Sequence, residues 1–204
     1  MHKSYCTRII VQLLLCVMRE PNVREIRDSK ALAAIAHPLR HRLLDLLHLD
    51  GPATASLLAE KTGQAVGNIS HHLKVLAASE LIEEAPELAR DRRERWWRRT
   101  SSAIKWGAQD FPDDPIAEAA EVLTLDHQHA IAREWLAKRE TYPQEWRGAL
   151  FSIDGWARLS VAELDELNDR IVAMLAEYRD RTLPDDGIER RPVFVAARAS
   201  LGQP

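Results

Sequence analysis

From Ser29 onward, apolar residues recur at helical spacing: Leu32, Ile35 and Ala36, then Leu39, Leu43, Leu46 and Leu47. Pro38 divides this run into two predicted helices, because proline is tolerated in the first turn of a helix but not in its interior. Gly51-Pro52 ends the second. A third helix is predicted over about residues 54–61, burying Leu57 and Leu58 and stopping at Gly63; a fourth follows over about residues 65–79. On this fourth helix Ile69, His72, Leu73 and Leu76 fall at i, i+3, i+4 and i+7, a single apolar stripe. The opposite face carries Asn68, Ser70, His71 and Lys74, with Gln64 and Gly67 at its leading end.

Two short helices joined by a tight glycine turn, the second displaying small polar residues, describe a helix-turn-helix. In that unit the second helix lies in the major groove with its N-terminal residues on base edges. Gly67 costs about 1 kcal/mol of helix stability relative to alanine. Close backbone approach to DNA and tight helix packing both account for it. After the helix come Leu81-Ile82-Glu83-Glu84-Ala85, a charged tip, and Glu94-Arg95-Trp96-Trp97-Arg98-Arg99-Thr100. Two short strands around an Arg-rich tip predict a hairpin wing. Arg90, Arg92, Arg93 and Arg95 of this wing are candidates for phosphate or minor-groove contact, beside Gln64, Asn68, Ser70, His71 and Lys74 for the major groove. Trp96 and Trp97 should point to opposite sides of their strand, one of them into the core.

Residues from about 29 to 100 resemble the winged helix-turn-helix of ArsR-type bacterial transcriptional regulators. The resemblance is carried by ALAAIAHPLRHRLLDLL (31–47), NISHHLKVL (68–76) and the wing ending ERWWRR (94–99), which is similar to a subgroup with longer C-terminal extensions. It implies homodimers that bind operator DNA and typically repress. By the same analogy Ser70, His71 and Lys74 face DNA, and His72 packs inward. The Cys-x-Cys pair of metal-sensing members is missing from the third helix, which reads ATASLLAEK, so soft-metal sensing there is not expected. Val66 and Gly67 replace the polar residues often found early in the recognition helix, so the target sequence does not carry over.

The second half reads as helical. Asp113-Asp114-Pro115 is a helix start, with acids at the positive end and proline in the first turn. That helix is expected to reach about Lys138 and to bury Ile116, Ala120, Leu123, Ile131 and Trp135. A shorter helix is expected from Pro143, including Trp146. Ser160 and Glu163 form a capping box for another, reaching about Arg181, with the stripe Leu164, Leu167, Ile171, Leu175 and Tyr178. Residues 183–187 predict a turn and residues 192–196 a short strand. The aromatics Trp135, Tyr142, Trp146, Phe151, Trp156 and Tyr178 either fill a small core or line a pocket for an apolar effector. The long amphipathic helices suit a dimer seam. Asp126 and His129 share a helix face and His127 lies on the apolar stripe, but no matching ligand pair stands out, so no metal site or other cofactor is expected.

Charge sharpens the division. Residues 25–105 carry a net +2 and residues 110–191 a net −9, while residues 88–99 are locally +4. That asymmetry suits a polyanion-facing part joined to a part with another task, since like charge would oppose phosphates. The expected fold is mainly α with a small β-hairpin wing: a winged helix-turn-helix domain over 25–105 and a helical dimerisation or effector domain over 113–204. Residues 1–24 read as an extension, with Met18 an alternative start. Its apolar run, 9–18, is too short to span a bilayer. The only cysteines, Cys6 and Cys16, lie there, so no disulfide framework holds the body, which fits a reducing cytoplasm. No phosphate-cradling glycine loop, nucleophile elbow or His-Glu-x-x-His motif points to an enzyme. Two readings stand. One is a homodimeric regulator of double-stranded operator DNA, with room for a small-molecule effector and no membrane partner. The other is a winged-helix protein-interaction module that has lost DNA binding.

Overall fold

The structure, a computed structural model, describes residues 23–91 and 93–202. The N-terminal extension with Cys6, Cys16 and Met18, and Arg92 of the wing, lie outside the described residues. The chain runs β1 (Val23–Glu25), α1 (Ser29–Ile35), α2 (Pro38–Leu49), β2 (Ala53–Thr54), α3 (Ala55–Thr62), α4 (Val66–Ala78), β3 (Ile82–Glu84), β4 (Trp96–Arg99), β5 (Ala103–Lys105), α5 (Pro115–Lys138), α6 (Gln144–Ala149) and α7 (Val161–Arg179). This is a mainly helical protein with a winged helix-turn-helix and a helical C-terminal region.

Local chemistry sets the helix ends. Asp28 caps α1 by accepting the Ala31 N–H, and Pro38 opens α2 behind His37, whose Nδ1 accepts the Leu39 N–H at 3.1 Å. Arg40 then reaches back to the carbonyl oxygens of Ala33 and Ala34, satisfying acceptors that the end of α1 leaves open. The HPLR run thus closes one helix and starts the next. Antiparallel strands in the order β2-β4-β3 form the wing sheet, with Glu83 opposite Arg98 and Glu84 opposite Trp97. A second, parallel pair joins β1 to β5. These three two- and three-residue strands, β1, β2 and β5, go unannounced in the sequence because they are too short to show alternation.

One core gathers Leu32, Ile35, Leu43, Leu47, Leu58, Ile69, Leu73, Leu76 and Trp97, and takes in Phe111 from the turn before α5 and Ala117 and Ala120 from its start. Trp97 is buried and Trp96 only half-buried, the split expected of neighbours on one strand. Leu57 corrects an expectation: it is exposed, because an eight-residue helix turns Leu58, Ala59 and Thr62 inward and adjacent positions diverge by about 100°.

Farther along, burial thins. In α5, Ala117 and Ala120 are buried, whereas Leu123, Ile131 and Trp135 are only half-covered, since the helix continues past the body it packs against. In α7 the capping box forms, but no residue of the expected stripe is buried, and Leu167 and Tyr178 are exposed. Residues 192–196 form no strand: Pro192 lacks an N–H and no partner strand lies alongside among the described residues. Phe194 instead sets its ring edge-on to His127, centroids 6.1 Å apart.

Candidate nucleic-acid interface

Helix α3 is fixed at both ends. Thr54 caps α3 by accepting the Leu57 N–H at 3.3 Å, and Gly63 ends it in the left-handed conformation at φ 69°. Helix α4 then buries Ile69, His72, Leu73 and Leu76 as one stripe. His72 packs its ring 4.6 Å from that of His37 and lies 3.5 Å from Arg40, so the inward histidine is wedged against the junction of α1 and α2. Burial and the nearby Arg40 guanidinium hold His37 below the usual histidine range; burial, His37 and Arg40 do the same for His72. Both therefore stay neutral near pH 7 and act as packing groups.

Because that stripe is anchored, the opposite face is presented to solvent. Gln64, Asn68, His71 and Lys74 are exposed and Ser70 is half-covered. Asn68 donates to Gln64 Oε1 at 3.2 Å, pre-arranging the two amides. The helix contains no carboxylate, and its N-terminus has no side-chain cap, leaving its positive end open. The exposure of these residues also means that the acidic C-terminal region does not cover them.

In the wing, the structure redistributes the arginines. Arg98 is paired with Glu83 at 2.7 Å and with Glu87, and Arg95 with Glu84 at 3.3 Å. Arg95, a candidate DNA contact, is therefore already partly neutralised. Arg90 and Arg93 are exposed, and among the described residues neither side chain has an ion-pair partner. The tip is pinned through its backbone: Arg90 N–H donates to Glu94 and Arg93 N–H to Asp91. Sequence reasoning alone missed two contributions. Arg40 and His37 seat α4, and the glutamates of β3 set which wing arginines are free. The facing Glu-Glu and Arg-Arg runs were the available signal for the second.

Asp126 and His129 are exposed, and His127 lies 3.1 Å from Asp45. Among the described residues no group of three His, Cys, Asp or Glu side chains is arranged to hold a metal ion. No described helix is long and apolar enough to cross a membrane.

Residues 35–85 match a helix-turn-helix domain family. The match spans Ile35 to Ala85, from the end of α1 through β3. Among solved structures, similarity extends to the homodimeric winged helix-turn-helix DNA-binding domain of Mb0332 from Mycobacterium bovis, at 17% identity over 58% of this chain and 88% of that one, TM-score 0.32. HlyU from Vibrio cholerae aligns at 18% identity over 48% and 89%, TM-score 0.30. ZitR from Lactococcus lactis, in complex with DNA, aligns at 16% identity over 72% and 73%, TM-score 0.28. No curated protein matches the chain.

Proposed function

We propose that the protein is a DNA-binding transcription regulator of the ArsR type, a homodimer that represses by occupying operator DNA. The observation that carries this reading is the exposed, carboxylate-free face of α4 on a helix whose opposite face is anchored by four buried side chains. Gln64, Asn68, Ser70, His71 and Lys74 are assigned to the major groove. Arg90, Arg92 and Arg93, and more weakly Arg95, are assigned to flanking phosphates or the minor groove. The family match over residues 35–85 supports the same reading.

The second copy is assigned to the apolar surface of the C-terminal region. Ile153, Trp156, Val161, Met174 and Tyr178 are all more than half exposed, an uncommon density for a monomer. Two recognition helices related by a two-fold axis would read half-sites about 10–10.5 bp apart, or a multiple of that. Action is by binding rather than catalysis, in the cytoplasm.

The test is a mobility shift on the DNA upstream of the protein's own gene, repeated over a salt range, with sedimentation of the free protein beside it. A regulator gives a saturable shift that weakens steeply with salt, and a sedimenting dimer. The pairing of Arg95 and Arg98 with glutamates favours a second reading, a protein-interaction module. Absence of any shift at low salt, from a folded dimer, selects it.

A further inference from the structure

A groove of about 920 Å³ opens between the end of α5, α6 and the segment that follows. Trp135 and Leu136 of α5 and Leu150 and Phe151 after α6 supply its apolar lining. Leu136 and Phe151 are exposed, so these faces are not consumed by the protein's own packing. The aromatic side is braced from behind: the Trp135 and Tyr142 rings lie 5.1 Å apart, and Arg191 covers Tyr142 at 5.7 Å and Trp146 at 5.4 Å.

The polar side is unbalanced. Arg139 and Arg147 both line the groove, with Glu140 as the one carboxylate between them. Glu140 serves both, one oxygen 3.3 Å from Arg139 Nε and the other accepting from Arg147 Nη1. Two guanidinium groups thus share one negative charge. Arg147 Nε is buried and meets no acceptor among the described residues, while the side chain as a whole keeps 35% of its surface open. A buried donor without a partner is costly, and a guanidinium favours a planar, bidentate carboxylate.

We propose that this groove binds an aromatic carboxylate, its ring between Trp135 and Phe151 and its carboxylate on Arg147 and Arg139. The apolar lining calls for a ring, and two guanidinium groups on a single carboxylate leave one positive charge for the ligand to match. The groove pairs an apolar lining with a roughly equal polar one, the mix that an amphiphilic ligand with one ring and one charged group would match. The inference goes beyond DNA binding and does not rest on it. In a regulator, such a ligand would act as effector to the extent that it favours one dimer geometry over another.

Titration calorimetry of the full chain without DNA tests it, so failure here and failure in the mobility shift remain separate results. The probe is 1-naphthoate, against neutral 1-naphthalenemethanol and inorganic sulfate. Naphthoate should bind, with the alcohol and sulfate each at least about tenfold weaker, the scale of one charged contact. Arg147→Met should weaken naphthoate by about tenfold or more. Glu140→Gln should tighten it, because the competing carboxylate is gone; a purely structural role for Glu140 predicts the opposite. Circular dichroism establishes that each variant is folded, and should R147M fail to fold, E140Q and the neutral probe decide. No naphthoate binding up to millimolar concentration overturns the proposal. So does equal affinity for the alcohol or for sulfate, or a folded R147M with unchanged affinity.

Discussion

Gly63 and Gly67 stand four residues apart and are glycine for opposite reasons. Gly63 sits at φ 69° with its N–H on Ala59, and an added Cβ would meet nothing within 4 Å. Its constraint is therefore conformational, and Gly63→Ala should cost about 1–2 kcal/mol in urea unfolding, with Gly63→Asn costing less. Gly67 lies in regular helix and would also meet nothing, so packing against a neighbouring element does not explain it. Gly67→Ala should raise stability by up to about 1 kcal/mol. In the DNA-binding reading it should at the same time weaken the mobility shift, by placing a methyl group where the backbone nears the duplex; an undiminished shift would rule out that approach. Asn68→Ala and His71→Ala should leave the fold intact and relax sequence preference by about 1–3 kcal/mol for each base edge no longer read, measured by competition among operator variants.

At the scale of elements, the DNA-binding reading makes the wing a competition between phosphates and its own carboxylates. Arg90 and Arg93 are free of ion pairs among the described residues, whereas Arg95 is held by Glu84. Replacing Arg90 and Arg93 with alanine should lower the slope of log K against log salt by about 0.9 for each phosphate no longer neutralised. Arg95→Ala should change it less, and Glu84→Gln should strengthen binding; equal slopes throughout would take the wing out of the interface. The helices themselves were legible because a 3.6-residue period repeats over several turns and caps mark both ends, as at Pro38, Gly63 and Ser160. Pairing was not legible. Whether Arg95 is free or held by Glu84 depends on strand register, which no local pattern states, and residues 192–196 are an apolar run rich in β-formers with no neighbour to bond among the described residues. Leu164, Ile171 and Leu175 occupy the stripe that the sequence announced, yet they stay only half-covered, because periodicity reports a face that wants burial and not what supplies it.

For the whole molecule, the seam between α2 and α5 is where acid should act. His41 of α2 is largely buried against His127 of α5, ring centroids 5.2 Å apart, with Asp45 one turn further along α2 and 3.1 Å from His127. Burial, with repulsion from His127, pushes the His41 imidazole below its usual range against the opposing pull of Asp45. His48, further along α2, is lowered by burial and by Arg99 and Arg179, with Asp180 and Asp45 opposing. His37 and His72 are lowered at the α1–α2 junction. In all four the folded state binds the proton less readily than the unfolded chain. Their contribution is therefore complete above the unfolded value of about 6.5 and is lost as pH falls through the lowered folded values. The carboxylates held low by arginine partners, such as Asp180 beside Arg179, have unfolded values near 4 and do not titrate appreciably until the pH is lower still. Between about pH 7 and 5 the stability change should thus be a histidine effect, measured as a falling Tm. His41→Gln should flatten that fall because glutamine takes up no proton. A pH profile identical in wild type and H41Q would show that the seam is not where acid acts, and would leave His48 and the His37–His72 pair as its sources.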